Sequence, residues 1–234
     1  MPDFRQRSGQ AELMDGDTLS FAEFDHCLRE LETINALTLA YRPTLQWLEG
    51  WLVRHEPLRI LDAGSGGGDM LRRVRALARR LRGNDASTVE LTGVDLNPWA
   101  KQAAERTAPP SIQHVTGSIF DVATELAPDL IICSLFTHHL DDAQVVDYLR
   151  LIDDRAQQGW FINDLHRHAV PYYFIKYATR LCSRNRLIRH DAAVSVARAF
   201  TAADWRRLLA RAGIAHATLR WHFPFRLCVS CSKT

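Results

Sequence analysis

The stretch Leu58–Leu71, LRILDAGSGGGDML, sets four glycines in five positions between an apolar run and a helix-like pattern. No other feature constrains the fold as tightly. The run before the glycines reads as a buried strand. After them, Leu71, Val74, Leu77, Ala78 and Leu81 mark one face of a helix over Met70–Arg82. A strand that feeds a helix through a glycine turn opens a βαβ unit. The same alternation continues. VELTGVDL at Val89–Leu96 reads as strand, a helix enters at Pro98, and SIQHVTG and DLIICSLF read as third and fourth strands. Asp141–Ala156 reads as helix and GWFIND as a fifth strand. Strands alternating with helices predict a parallel sheet covered on both faces.

The segments outside that core are also readable. Ser20–Val53 is helical in pattern, with a capping-box start at Ser20 and Glu23 and a break at Pro43, which suits the first turn of a second helix. After Asp164 comes a longer helical stretch whose Val170, Tyr173, Phe174, Tyr177 and Leu181 share a face, a pattern that suits core packing or a lid over a pocket. Thr201 and Asp204 open a further helix with Gly213 as its C-cap, and IAHATLRWH and FRLCVSCSK close the chain as strands. The expected division is a tail with cap helices over 1–57 and a core over 58–234, with a lid at about 165–200.

A glycine loop at the end of a first strand is a ligand site in a doubly wound sheet. A dinucleotide asks for G-x-G-x-x-G. Gly64 and Gly66 fit, but Asp69 holds the third position and Asp62 ends the strand. Two carboxylates repel a pyrophosphate and attract a cation. DAGSGG at Asp62–Gly67, with GVDLNP at Asp95, resembles the class I methyltransferases that use S-adenosylmethionine (SAM), a ligand with a sulfonium and an ammonium. The resemblance implies a Rossmann-like, doubly wound, mostly parallel seven-stranded sheet, with an N-terminal helical cap and a helical insertion after strand five. It implies a cofactor site of Asp62, Gly64, Ser65, Gly66, Asp95, Leu96, Ser118, Ile119 and Ser134. In that site Asp95 would hold the ribose hydroxyls and Leu96 would pack on adenine. Ser118 stands where the family often has an acid. Arg42 in AYRPT is placed to pair with the methionine carboxylate.

His138 and His139 follow strand four, and His166 and His168 follow strand five, on the rim where an acceptor would lie. His139 is the expected base for a hydroxyl acceptor, with His166 as a second substrate contact; His138 reads as a wall or helix-capping residue. The implied reaction is methyl transfer to a small molecule, most readily O-methylation of a hydroxylated aromatic or polyketide. C-methylation of a quinone-like substrate and a non-catalytic SAM-binding protein are the alternatives. YRPT, NDLHR and RHDAAVSVARAF are similar to methyltransferases of bacterial polyketide pathways.

Charge and composition exclude other classes. Net charge is +2, and the arginines after the glycine loop alternate with an apolar stripe without interleaved aromatics, so they read as a solvated face and no nucleic-acid partner is expected. Five scattered cysteines suit a reducing cytoplasm. Cys228 and Cys231, three apart on a strand, point to opposite faces, and no metal-ligand cluster is visible. No run reaches membrane-spanning length. The expectation is a cytoplasmic monomer or homodimer, with residues 1–17 a frayed or docking tail.

Overall fold

The computed structural model describes residues 3–16, 19–55 and 57–233. Its sheet has seven strands in the order β3-β2-β1-β4-β5-β7-β6. The central strands are β1 (Leu58–Ala63) and β4 (Leu130–Ser134), followed outward by β2 (Val89–Asp95), β3 (Ile112–Thr116) and β5 (Gly159–Leu165). These five pair in parallel. β7 (Arg226–Ser232) is antiparallel to β5, and β6 (Thr218–His222) forms an antiparallel edge on β7. β1 and β4 read as unbroken apolar runs because both of their faces are covered. Trp160, Trp205 and Tyr148 fill one face; Leu48, Leu52, Leu71 and Phe161 fill the other.

The order reverses between β1 and β4, and that point sets the site. Their carboxyl ends diverge, and a crevice opens between the loops that follow them. α1 (Phe21–Leu37) and α2 (Arg42–Arg54) precede the sheet; α1 carries the expected capping box of Ser20 and Glu23, and α2 has Pro43 in its first turn. α3 (Asp69–Arg82) leaves the glycine loop, α4 (Pro98–Glu105) follows β2 and α5 (Ile119–Leu126) follows β3. α6 (Asp142–Arg155) joins β4 to β5. The long helical stretch resolves into two helices, α7 (Ala169–Cys182) and α8 (Arg186–Arg198), before α9 (Ala202–Ala212).

One expectation needs correction at this level. The arginines of α3 do not all face water: Arg75 is buried, donating to the Ala86 and Ser111 carbonyls, and Arg72 reaches Glu32 and the Gly67 carbonyl. A guanidinium fork can satisfy several carbonyls at once, so arginine on a helix flank can clamp loops. The tail does dock. Leu13 and Met14 donate their N–H groups to Asp191, and Arg7 reaches the carbonyls of His138, Leu140 and Arg198. Cys228 and Cys231 pack in cores on opposite faces of the sheet, as their spacing requires. Among the described residues no helix is long and apolar enough to cross a membrane.

Candidate active site

The glycine loop is shaped by backbone conformation. Gly64, Gly66 and Gly68 all have positive φ, at 67°, 49° and 71°, where a side chain is strained. A Cβ on Gly64 would lie 2.5 Å from the Phe136 ring, whereas one on Gly66 would meet only Leu28, at 3.6 Å. Gly64 is therefore needed for packing, and Gly66 leaves open space for a ligand. The Gly66 N–H donates to Asp95 Oδ2 at 2.9 Å, and the Asn97 N–H donates to Oδ1 at 2.9 Å. Each oxygen keeps a lone pair, so the carboxylate is oriented and still able to accept from a ligand. Burial raises Asp95 above the usual carboxylate range against the pull of these two bonds.

Asp62 is 2% exposed, and its carboxylate makes no hydrogen bond or ion pair with any described residue. Burial pushes it well above its ordinary range, and the charges of Asp69 and Asp95 add to the rise. Asp69 accepts from the Tyr41 hydroxyl. Asp62 and Asp69 line one half of a cleft with Gly64–Gly67, Ser134 and Leu135, and Asp95 stands outside that lining, on the Gly66 N–H. A buried carboxylate without a partner suits a ligand that brings positive charge.

The other half of the cleft is mostly apolar. Met14, Ile34, Leu165, Pro171, Phe174, Ile175, Ile188 and Phe225 form its walls. The two halves meet at Leu31, Asn35, Leu135 and Arg226, which line both. His138 and His139 stand in the apolar half beside Glu12. Asp164, at the end of β5 and fully buried, accepts from His138 Nδ1 at 2.8 Å, His138 N at 3.0 Å, Thr137 Oγ1 at 2.5 Å and Leu165 N at 2.7 Å. Burial alone would raise Asp164, but its pairing with His138 and its hydrogen bonds from Thr137 and Leu165 outweigh it and hold the carboxyl low. An ionised carboxylate on Nδ1 fixes the proton there and turns Nε2 outward as the available nitrogen. Nε2 lies 3.5 Å from Glu12 Oε1, an oxygen that has no hydrogen-bond partner.

His139 differs. Its Nδ1 contacts Asp15 Oδ2 at 3.1 Å and its Nε2 lies 3.9 Å from Glu12. Burial would lower it, but Asp15 and Glu12 outweigh that and raise it above an ordinary histidine. The ring is thus held toward its charged form by the tail. Glu12, His138 and His139 bring ligand-type atoms within 4.8 Å of one another, a juxtaposition that no sequence spacing could disclose.

The remaining expected residues fall as follows. Ser65 is buried under the loop, and Ser134 lines the acidic half within 3.4 Å of Thr44 Oγ1. Leu96 is 71% exposed at the end of β2, free to cover a flat ligand. Ser118 caps α5 by accepting from the Phe120 N–H. Ile119 does not face the cleft; it is buried in the sheet core because it opens α5 on the inward side. Arg42 does not reach the acidic half. It is exposed on a separate groove with Leu45, Glu49 and Arg73, since the start of α2 turns its first residue outward. His166 lines neither half; its ring stacks beside His168 and its backbone N–H donates to the Phe225 carbonyl. Burial and the charges of His168 and Arg167 lower it. The residues that sequence reasoning missed are Asp164, Glu12 and Arg226.

A family model described as a methyltransferase domain matches residues 34–218. The chain belongs to the methyltransferase domain family. The match runs from α1 through the start of β6 and includes the glycine loop, Asp95, His138 and Asp164. No curated protein matches this methyltransferase significantly. Among solved structures, it is similar to human N-acetylserotonin methyltransferase in complex with SAM, at 16% identity and a TM-score of 0.61, covering 92% of this chain and 56% of that one. It is similar to the plantazolicin methyltransferase BamL, at 16% identity and TM-score 0.59, covering 85% and 70%. It is also similar to a SAM-dependent methyltransferase from Aquifex aeolicus, at 13% identity and TM-score 0.59, covering 88% and 96%. At these identities the likeness is one of fold, and the chain spans little more than half of the human enzyme.

Proposed function

We propose that this methyltransferase uses SAM to methylate a hydroxyl group on a small, largely apolar molecule such as a hydroxylated aromatic or polyketide. The observation that carries the reading is the two-part cleft: an acid-lined glycine loop opens into an apolar chamber holding the His138–Asp164 pair. The residues fit the cofactor. Asp62 is a buried carboxylate awaiting a cation, Gly66 leaves room for close approach, and Asp95 keeps lone pairs for two ribose hydroxyls. The open ledge of Leu96 offers apolar cover for adenine.

When bound, the cofactor supplies an activated methyl group; the protein supplies orientation and a dry site. The apolar walls exclude water from the chamber. A phenol has a pKa of about 10 and must lose its proton as the new C–O bond forms. His138 Nε2 is the group to take it. Asp164 fixes the ring and offsets the charge it gains, and His138 replaces His139 in the role expected from sequence. Glu12 Oε1 faces the same space and can hold the hydroxyl in place.

The test is a screen of phenols with SAM, followed by mass detection of an added methyl group and of the demethylated cofactor. Turnover of a phenol that falls at least a hundredfold in His138→Ala and only a few-fold in His139→Ala supports the reading. Turnover of carbon acceptors alone, or equal activity in His138→Ala, refutes it.

A further inference from the structure

Three arginines are buried among the described residues, and two of them are anchored. Arg75 holds the Ala86 and Ser111 carbonyls; Arg167 holds the Phe4 and Ala199 carbonyls and Asp204. The third, Arg226, is 3% exposed and makes no hydrogen bond or ion pair with any described residue. Its Nη1 is sealed from water without a partner. It opens β7 opposite Leu165, so β5 and β7 together aim it at the crevice. It lines the acidic half and the apolar half alike.

A guanidinium cannot shed its proton at pH 7, so burial without a counter-charge is costly. Nearby acids do not relieve it. Asp164 is felt electrostatically, but its oxygens are taken by Thr137, His138 and Leu165. Asp62, in the same acidic half, forms no hydrogen bond or ion pair with it. A fixed charge of this kind, placed between two ligand chambers, is matched by an anion that arrives with the ligand.

We propose that Arg226 is an oxyanion receptor at the seam of the cleft, taking a carboxylate or ionised hydroxyl of the bound small molecules. The inference rests on the reading of the cleft above. Two sources have this chemistry: the carboxylate at the amino-acid end of SAM, and an anionic oxygen on the acceptor. With Asp62 nearby, an amino-acid end would find both signs of charge in one chamber. An acceptor would instead have its negative oxygen drawn toward the point where methyl transfer occurs.

Calorimetry on the full chain separates the sources, using Arg226→Met, which keeps an apolar stem, and Arg226→Lys, which keeps the charge. The first arm compares S-adenosylhomocysteine with 5′-methylthioadenosine, which lacks the amino-acid group. The second compares benzoate with benzyl alcohol on protein saturated with S-adenosylhomocysteine. If the cofactor supplies the anion, the parent prefers S-adenosylhomocysteine by about 10–100-fold, and Arg226→Met brings the ratio near one. If the acceptor supplies it, that ratio holds and the preference for benzoate collapses instead. Arg226→Lys keeps part of the affected preference in either case. The ligand-free Arg226→Met protein also melts higher than the parent, because an unpaired buried charge is gone. Both preferences surviving within about twofold in Arg226→Met would overturn the proposal. Should the parent bind neither nucleoside, the cofactor reading fails by itself, and the benzoate comparison on the free protein still decides Arg226.

Discussion

Asp164→Asn exchanges one oxygen of a fully buried carboxylate for an amide. Oδ1 now accepts from His138 Nδ1 and Leu165 N; Oδ2 accepts from Thr137 Oγ1 and His138 N. In either orientation an asparagine turns its NH2 toward two donors. If it faces Nδ1, the imidazole must move its proton to Nε2 to avoid a donor–donor clash, and the nitrogen facing the acceptor can then no longer take a proton. In either orientation one backbone N–H, of Leu165 or His138, loses its acceptor and the buried pair with His138 loses its negative partner, so the fold should lose about 3–5 kcal/mol. For a chain of this size that is roughly 6–20 °C in melting temperature. Loss of general-base help should cost about 10²–10⁴ in turnover. The assay is turnover of a phenol from the screen, run well below the variant's melting point, with S-adenosylhomocysteine affinity measured to confirm an intact cofactor half. Cofactor affinity should change less than about threefold, far below the loss of one charged hydrogen bond. The two effects also separate by pH. Asp164 is depressed in the folded protein, so its stabilising contribution is present above the ordinary carboxylate value and is lost as pH falls through the folded value. A variant that melts lower yet turns over within about threefold of the parent would make Asp164 a structural residue and remove the base from the account.

Two further outcomes follow from the same geometry. Gly66→Ala meets only Leu28 within the protein but carries a side chain at φ 49°, so it should fold with a loss of about 1 kcal/mol and bind S-adenosylhomocysteine at least tenfold more weakly; normal affinity in a calorimetric titration would place the ligand elsewhere. His139 is raised in the folded protein, so its pairing with Asp15 and Glu12 stabilises below the ordinary histidine value, about 6.5, and that gain fades as pH rises through the folded value. Denaturant titrations of the parent and His139→Ala should therefore converge toward alkaline pH, and a constant gap across pH 6–9 would show that the tail is not held by this charge.

What was legible in the sequence was what is local in the chain. The glycine loop and the strand-end acids Asp62 and Asp95 follow from strand ends and turn chemistry, which neighbouring residues encode. The seven strands were legible because β1 and β4 must be apolar on both faces. The order of the two histidines was not. His138 and His139 are adjacent, and which ring faces Asp164 depends on the short helical turn of Thr137–His139 and on a residue from another strand. Arg42 misled because an arginine before the sheet resembles a cofactor ligand, while only the first-turn geometry of α2 shows it facing outward. Arg226 carried no signal, since the antiparallel return of β7 alone brings its start to the crevice. Glu12 belongs to a tail whose docking depends on tertiary contacts with Asp191 and His138.

Under the proposed function, Asp95 and the glycine loop hold SAM. Calorimetric titration of the parent and Asp95→Ala with S-adenosylhomocysteine, and of the parent with NAD, tests it most directly. Asp95 is oriented by Gly66 and Asn97 with a lone pair left on each oxygen, so its loss should weaken S-adenosylhomocysteine by about 1–3 kcal/mol, roughly 5- to 150-fold. The parent should bind S-adenosylhomocysteine more tightly than NAD, because the acids at Asp62 and Asp69 repel a pyrophosphate. Equal affinity in the two proteins, or tighter binding of NAD, would contradict the account.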